Sequence, residues 1–272
     1  MNYSSPRFGS MPPVIKTIIG LNVLMFLATW VARTAGINLN QLLGLYTPTT
    51  ERFHIYQYVS YMFMHGGLEH LFFNMFALWM FGRVLEQVWG SRRMLTYYMV
   101  TGLGAALIHT GVNLISLSVI RSDAAAVMAA PSPDAFAAFV NNHFAAYYDQ
   151  VYSKLLEHWF NNPYSSELIS QASIYIQQLI DLQANIPTVD ASGAVYGVLL
   201  AFGMLFPNTQ IMLLIPPIPL KAKWMVIGYG ALELFLGLTQ PGSSVAHFAH
   251  LGGMIFGFFL IRHWRQQRDI FY

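Results

Sequence analysis

Cysteine is absent from the 272-residue chain. That excludes disulfides, thiolate metal sites and a cysteine nucleophile, and it leaves the redox compartment unmarked. Charge is also scarce: Asp, Glu, Lys and Arg make up 10% of the residues, against about 25% in an ordinary soluble domain. The 14 Lys and Arg barely exceed the 12 Asp and Glu and are spread thinly along the chain. A nucleic-acid-binding surface needs a concentrated basic stripe, so no nucleic acid partner is expected. No internal repeat and no low-complexity tract stands out. What is abundant is apolar: 55% of residues are hydrophobic and the mean hydropathy is +0.45. Disorder requires the opposite balance. These numbers specify an all-α, polytopic integral membrane protein embedded in a lipid bilayer.

Six apolar stretches are long enough to act as spans: Val14 to Val31, Tyr58 to Val84, Met94 to Ile115, Thr188 to Phe206, Trp224 to Leu238 and Val245 to Ile261. A span needs roughly 20 residues. The fifth is short and contains Glu233. Pro207 ends the fourth, and Pro216-Pro217-Ile218-Pro219 predicts a rigid connector. With the N-terminus inside, the inner segments hold ten basic residues (Arg7, Lys16, Arg83, Arg92, Arg93, Lys221, Lys223, Arg262, Arg265, Arg268). The outer segments hold Arg33, Arg52, Arg121 and Lys154. This bias places both termini in the cytoplasm. The first stretch is long for a cleaved leader and reads as a span.

Residues 119–187 do not belong in lipid, because they carry Asp123, Asp134, Asp149, Glu157, Glu167 and Asp181. Phe136, Phe139, Val140, Phe144, Tyr148, Val151, Tyr152, Leu155 and Trp159 recur at helical spacing, and Ile169, Ala172, Ile176, Leu179 and Ile180 do so again. The pattern predicts two amphipathic helices outside the membrane, either packed on each other or serving as a lid, exosite or membrane-surface platform. The chain thus divides into residues 1–118 with three spans, an extramembrane insertion over 119–187, and residues 188–272 with three spans and a short tail.

Ionisable and polar residues inside spans are costly and mark functional candidates. Here they are His65, His70, Asn74, His109, Ser192, Glu233, His247 and His250. Ser192 opens the fourth span. A serine hydroxyl needs a base to become a nucleophile, and a helix N-terminus supplies free N–H groups for an oxyanion. Gly193 and Gly197 form a G-x-x-x-G face, and Gly253 and Gly257 form another beside His250. Such faces allow close helix approach, within which Ser192 and His250 can hydrogen-bond. Tyr196 lies one turn after Ser192, placed to stack on the imidazole. His70 and Asn74 share a helix face as uncharged donors, and His65 precedes them. Metal binding is the weaker option, since the histidines lack H-E-x-x-H spacing and no thiolate is present. Taken singly, each residue also has a bland reading as helix-packing or interhelical hydrogen bonding.

Three segments together resemble the rhomboid family of intramembrane serine proteases: His70-Leu71-Phe72-Phe73-Asn74, Asp190-Ala191-Ser192-Gly193 and Ala249-His250-Leu251-Gly252-Gly253. They match the family's H-x-x-x-N, G-x-S-G and A-H-x-x-G on the second, fourth and sixth helices of its six-helix core. His65-Gly66-Gly67 and Glu86 to Arg93 resemble bacterial members. The resemblance implies that Ser192 attacks the scissile carbonyl and His250 takes and returns the proton. It further implies that His70, Asn74 and the Ser192 N–H hold the oxyanion, and that Tyr196 positions His250. The family uses a dyad, so no third acid, no cofactor and no metal are implied. Transmembrane protein substrates are implied, cut near the outer face of, by default, a bacterial inner membrane.

Two departures stand out. Asp190 replaces the first glycine of G-x-S-G; a carboxylate there either repels the oxyanion, caps the helix or points to solvent, and the cap or solvent reading is preferred. The Trp-Arg pair of the family's first outer loop is missing, with Tyr56-Gln57 in the nearest place. The alternative function is a catalytically inactive rhomboid-like protein that binds or escorts membrane proteins. Such members usually lack the serine or the histidine. A transporter using His and Glu233 predicts inverted repeats, and none is evident.

Overall fold

The computed structural model describes residues 11–212, 218–239 and 246–266. Arg7, Arg268, Val245 and the Pro216-Pro217 part of the expected connector lie outside the described residues. The chain is predominantly helical.

Helix α1 (Pro13–Thr34) begins with proline at its first helical position and has no side-chain cap of its own. Glu86 caps it from a distance: Val14 N–H donates to Oε1 at 3.0 Å and Ile15 N–H to Oε2 at 2.9 Å. The carboxylate thereby satisfies two orphan donors and meets the positive end of the helix dipole. The loop that follows carries α2 (Leu39–Leu43) and α3 (Gln57–Ser60). Buried Gln57 ties this loop together, donating to Arg52 O at 2.9 Å and accepting from the N–H groups of Tyr46 and His54.

The second apolar stretch is not one helix from Tyr58. A short 3-10 turn (Tyr61–Phe63) leads to extended backbone, and α4 (Leu68–Ala77) starts only after Gly66-Gly67. Paired glycines disfavour helix, and Gly67 sits extended at φ −166° and ψ 171°. A π-turn (Leu78–Gly82) joins α4 to α5 (Arg83–Trp89). The turn at Gly90, with φ +79°, hands over to α6 (Ser91–Ala129). α6 has 39 residues, so it is about 58 Å long at 1.5 Å per residue. It outruns the expected end at Ile115, because no breaker intervenes before Pro131 and Ala124-Ala125-Ala126 favour helix. By length and composition, α1 and α6 are helices able to cross a bilayer.

Four helices follow: α7 (Pro133–Phe144), α8 (Tyr148–Val151), α9 (Glu157–Asn161) and α10 (Ser166–Ala184). The expected first amphipathic helix is therefore broken near Phe144, where Asn141-Asn142-His143-Phe144 all have low helix propensity. Ser132 and Ser165 cap α7 and α10. Phe136, Phe139, Leu155, Trp159, Ile176 and Ile180 form a separate core closed by Ile120, Ala124 and Val127 of α6. Tyr152 does not join it; the residue is 42% exposed.

α11 (Ser192–Leu205) starts later than Thr188 because residues 187–191 form a strap. β1 (Gln210–Met212) and β2 (Pro219–Lys221) pair antiparallel. They lead to α12 (Ala222–Thr239) and α13 (His247–Gln266). The centre is α6, α11 and α13, packed through backbone. A methyl group on Gly253 would overlap the Gly193 carbonyl, while Gly197 and Gly257 face Thr101 and Tyr97 of α6. Gly193 and Gly253 therefore join α11 to α13, with Gly193 also against Ala105 of α6, and Gly197 and Gly257 seat each helix on α6.

Candidate active site

The strap ahead of α11 is pinned on both sides. Leu45 and Thr188 exchange backbone hydrogen bonds of 2.8 and 2.9 Å, and Asp190 N–H donates to Tyr61 O at 3.1 Å. Tyr61 is itself anchored, its hydroxyl donating to Gly102 O at 2.8 Å. Thr188 Oγ1 and His109 Nε2 lie 2.7 Å apart, with Asn113 bonded to the same nitrogen. This fixes Ser192 as the first residue of α11, buried beneath a cavity of about 740 Å³ lined by His70, His109, Tyr196 and His250 among others.

The Gly193–Gly253 contact lets the two side chains meet: Ser192 Oγ is hydrogen-bonded to His250 Nε2. Tyr196 stacks flat on the His250 ring, with centroids 4.2 Å apart and planes 6° from parallel. Glu233, unassigned by sequence reasoning, reaches the same imidazole from α12, its Oε2 lying 2.9 Å from His250 Nδ1. It accepts from Tyr196 Oη at 2.5 Å and pairs with His247 Nδ1 at 2.7 Å. No local pattern around Glu233 names these partners; only its cost inside an apolar helix marked it.

Asp190 corrects part of the preferred reading. It does not face solvent: it is 6% exposed and lies within the site. Its Oδ1 accepts from Ser192 N–H at 2.6 Å and lies 2.9 Å from His70 Nε2, while Oδ2 accepts from Ser192 Oγ. It stands one residue ahead of the N-cap position, Ala191, yet its carboxylate takes the first helical N–H, that of Ser192, so the capping part of the expectation holds. The pinned backbone turns the side chain inward, where a buried carboxylate collects the donors it needs. Those donors include two of the three expected to hold an oxyanion. The third, Asn74 Nδ2, is buried and has no hydrogen-bond partner among the described residues. His65 does not extend a hydrogen-bonded row: its ring nitrogens are unpartnered, and it meets His70 ring edge to face at 5.2 Å.

Chemically, a serine hydroxyl beside a buried imidazole can lose its proton as it attacks an electrophile, once its single hydrogen turns from Asp190 Oδ2 to His250 Nε2. Glu233, His247 and His250 could also supply metal ligands, their donor atoms lying within 4.8 Å of one another. The separations of 2.7 and 2.9 Å favour direct pairing, since ligand atoms about 2.0–2.1 Å from a tetrahedral ion stand roughly 3.3 Å apart.

The Rhomboid domain family model matches residues 52–129 and 154–266, leaving out the stretch between them. Rhomboid protein 1, mitochondrial, of Saccharomyces cerevisiae is 30% identical over 101 residues, covering 36% of this chain and 29% of that protein. Rhomboid-like protein 11, chloroplastic, of Arabidopsis thaliana is 35% identical over 72 residues, 26% of this chain and 23% of that protein. RHOMBOID-like protein 5, also of Arabidopsis thaliana, is 34% identical over 80 residues, 25% of this chain and 26% of that protein. The chain thus spans less than a third of the length of each of these relatives. With the family model covering well over half of it, the chain is an integral membrane protein belonging to the rhomboid family.

Proposed function

We propose that this protein is an intramembrane serine endopeptidase that cleaves transmembrane segments of membrane proteins. The observation that carries the reading is the hydrogen bond between Ser192 Oγ and His250 Nε2 at the floor of an open cavity. Ser192 attacks the scissile carbonyl carbon as its proton passes to His250 Nε2. The tetrahedral oxyanion is held by Ser192 N–H, His70 and Asn74. Collapse breaks the C–N bond, and His250 returns the proton to the leaving amine. Water then attacks the acyl-serine ester, giving its proton to His250; the second tetrahedral intermediate collapses with cleavage of the C–Oγ bond, His250 returns the proton to Ser192 Oγ, and the carboxylic acid product departs. A substrate helix must unwind locally first, since intact backbone bonds hide its carbonyls.

In this reading the six apolar stretches are six membrane crossings, α7–α10 form an insertion on the outer side, and both termini are cytoplasmic. The bacterial inner membrane is the proposed address. Two relatives bear organelle names, so fractionation of the tagged chain in its native cell decides this point.

The second reading, an inactive member that binds membrane proteins, is favoured by one observation: the Asp190 carboxylate holds Ser192 N–H and His70. Turnover requires those donors for the substrate oxygen. The test is cleavage of transmembrane reporter helices in proteoliposomes. Cut products from wild type, lost in Ser192→Ala and His250→Ala, support the protease. Reporter binding without any cutting supports the escort.

A further inference from the structure

The family resemblance implies a dyad, yet a carboxylate meets the far nitrogen of the histidine. We infer that Glu233 is the positioning acid of His250, which makes the site a Ser192–His250–Glu233 relay. The inference rests on the protease reading.

Glu233 is 5% exposed on α12. A carboxylate inside an apolar bundle is retained only where it is paired. Three groups from two other helices converge on it: Tyr196 Oη from α11, and the Nδ1 atoms of His247 and His250 from α13. Tyr196 is also the ring stacked on His250. Glu233 therefore bears on the imidazole twice, from 2.9 Å beside its Nδ1 edge and on its face through Tyr196.

Such a group serves the chemistry. For Nε2 to accept the Ser192 proton, the neutral ring must carry its hydrogen on Nδ1. A carboxylate at Nδ1 selects that tautomer, and it stabilises the imidazolium formed on attack. Glu233 Oε2 lies close to Nδ1 but off the line of a directed hydrogen bond. Catalytic contacts of this kind are often misaligned in the free enzyme and tighten with substrate. His247 shares the oxygen and anchors it from the same helix as His250.

The test uses the full chain in detergent with ¹⁵N-labelled histidine, together with reporter cleavage, for wild type, Glu233→Gln, Glu233→Asp and His247→Gln. Wild-type His250 is expected as the Nδ1–H tautomer, and Glu233→Gln is expected to lose that preference. In parallel, kcat falls about 10²-fold or more at unchanged KM. Glu233→Asp recovers part of the loss, and His247→Gln, which removes the anchor of the same carboxylate oxygen, lowers kcat by less than Glu233→Gln does. Melting temperatures separate this pattern from misfolding. Unchanged tautomer and unchanged kcat in Glu233→Gln would overturn the inference. So would stoichiometric Zn²⁺ in purified wild type that disappears in Glu233→Gln, since the carboxylate is then a metal ligand. If wild type cuts nothing while its tautomer still depends on Glu233, the protease reading fails and the positioning role stands.

Discussion

The two cores of this molecule differ in how closely their helices meet. Around Ser192 and His250, α6, α11 and α13 meet through glycine, alanine and threonine, close enough that one helix backbone rests on another. In α7–α10 the interior is filled by Phe136, Phe139, Leu155, Trp159 and other large side chains. The second is packed in the manner of an amphipathic unit that coheres by removing apolar surface from water. The first is how helices associate where lipid is as apolar as any side chain, so that close packing and interhelical hydrogen bonds must hold them. The difference matters for chemistry. Backbone contact fixes two helices to within a fraction of an ångström, and the Ser192–His250 bond depends on that spacing.

Gly253→Val should break the first core alone. The added side chain drives α13 from the Gly193 carbonyl, and displacement of about 1 Å at a reacting pair costs roughly 10²-fold in rate. Reporter cleavage measures the loss, and resistance of residues 133–184 to protease should be unchanged. Trp159→Ala should do the reverse. It costs the second core about 3–5 kcal/mol, read as new protease cuts within 133–184. Cleavage of the reporter should remain within a few-fold of wild type; a collapse of activity would show that the two cores are coupled. The smallest expected effect is a gain. Asp190→Gly frees Ser192 N–H and His70, and should raise the rate of Ser192 acylation about tenfold, equivalent to about 1.4 kcal/mol. An unchanged rate would show that the carboxylate does not compete with substrate for those donors.

The same contrast explains what could be read from the chain. Ser192, Tyr196 and His250 were legible because their meaning lies in short spacings: a serine opening a helix, an aromatic one turn on, a histidine beside a glycine face. The second core was legible as periodicity, apart from the break at Phe144 and the outward turn of Tyr152. Glu233 was visible only as an expense without a purpose, since its partners sit on α11 and α13 and no local rule connects them. The inward turn of Asp190 is hidden in the sequence for a similar reason. Its direction is set by the strap that pairs Thr188 with Leu45 and ties Asp190 N–H to Tyr61, contacts made across more than a hundred residues. The late start of α4 followed from Gly66-Gly67, a breaker that apolar content concealed.

The central claim is that Ser192 is an activated nucleophile whose base is His250. Reaction of the detergent-solubilised protein with a fluorophosphonate, with the adduct located by mass spectrometry, tests it without any knowledge of the natural substrate. The expected result is a phosphonyl adduct on Ser192 in wild type, absent from Ser192→Ala and from His250→Ala. Wild type left unlabelled, under conditions in which an active rhomboid protease is labelled, would contradict it.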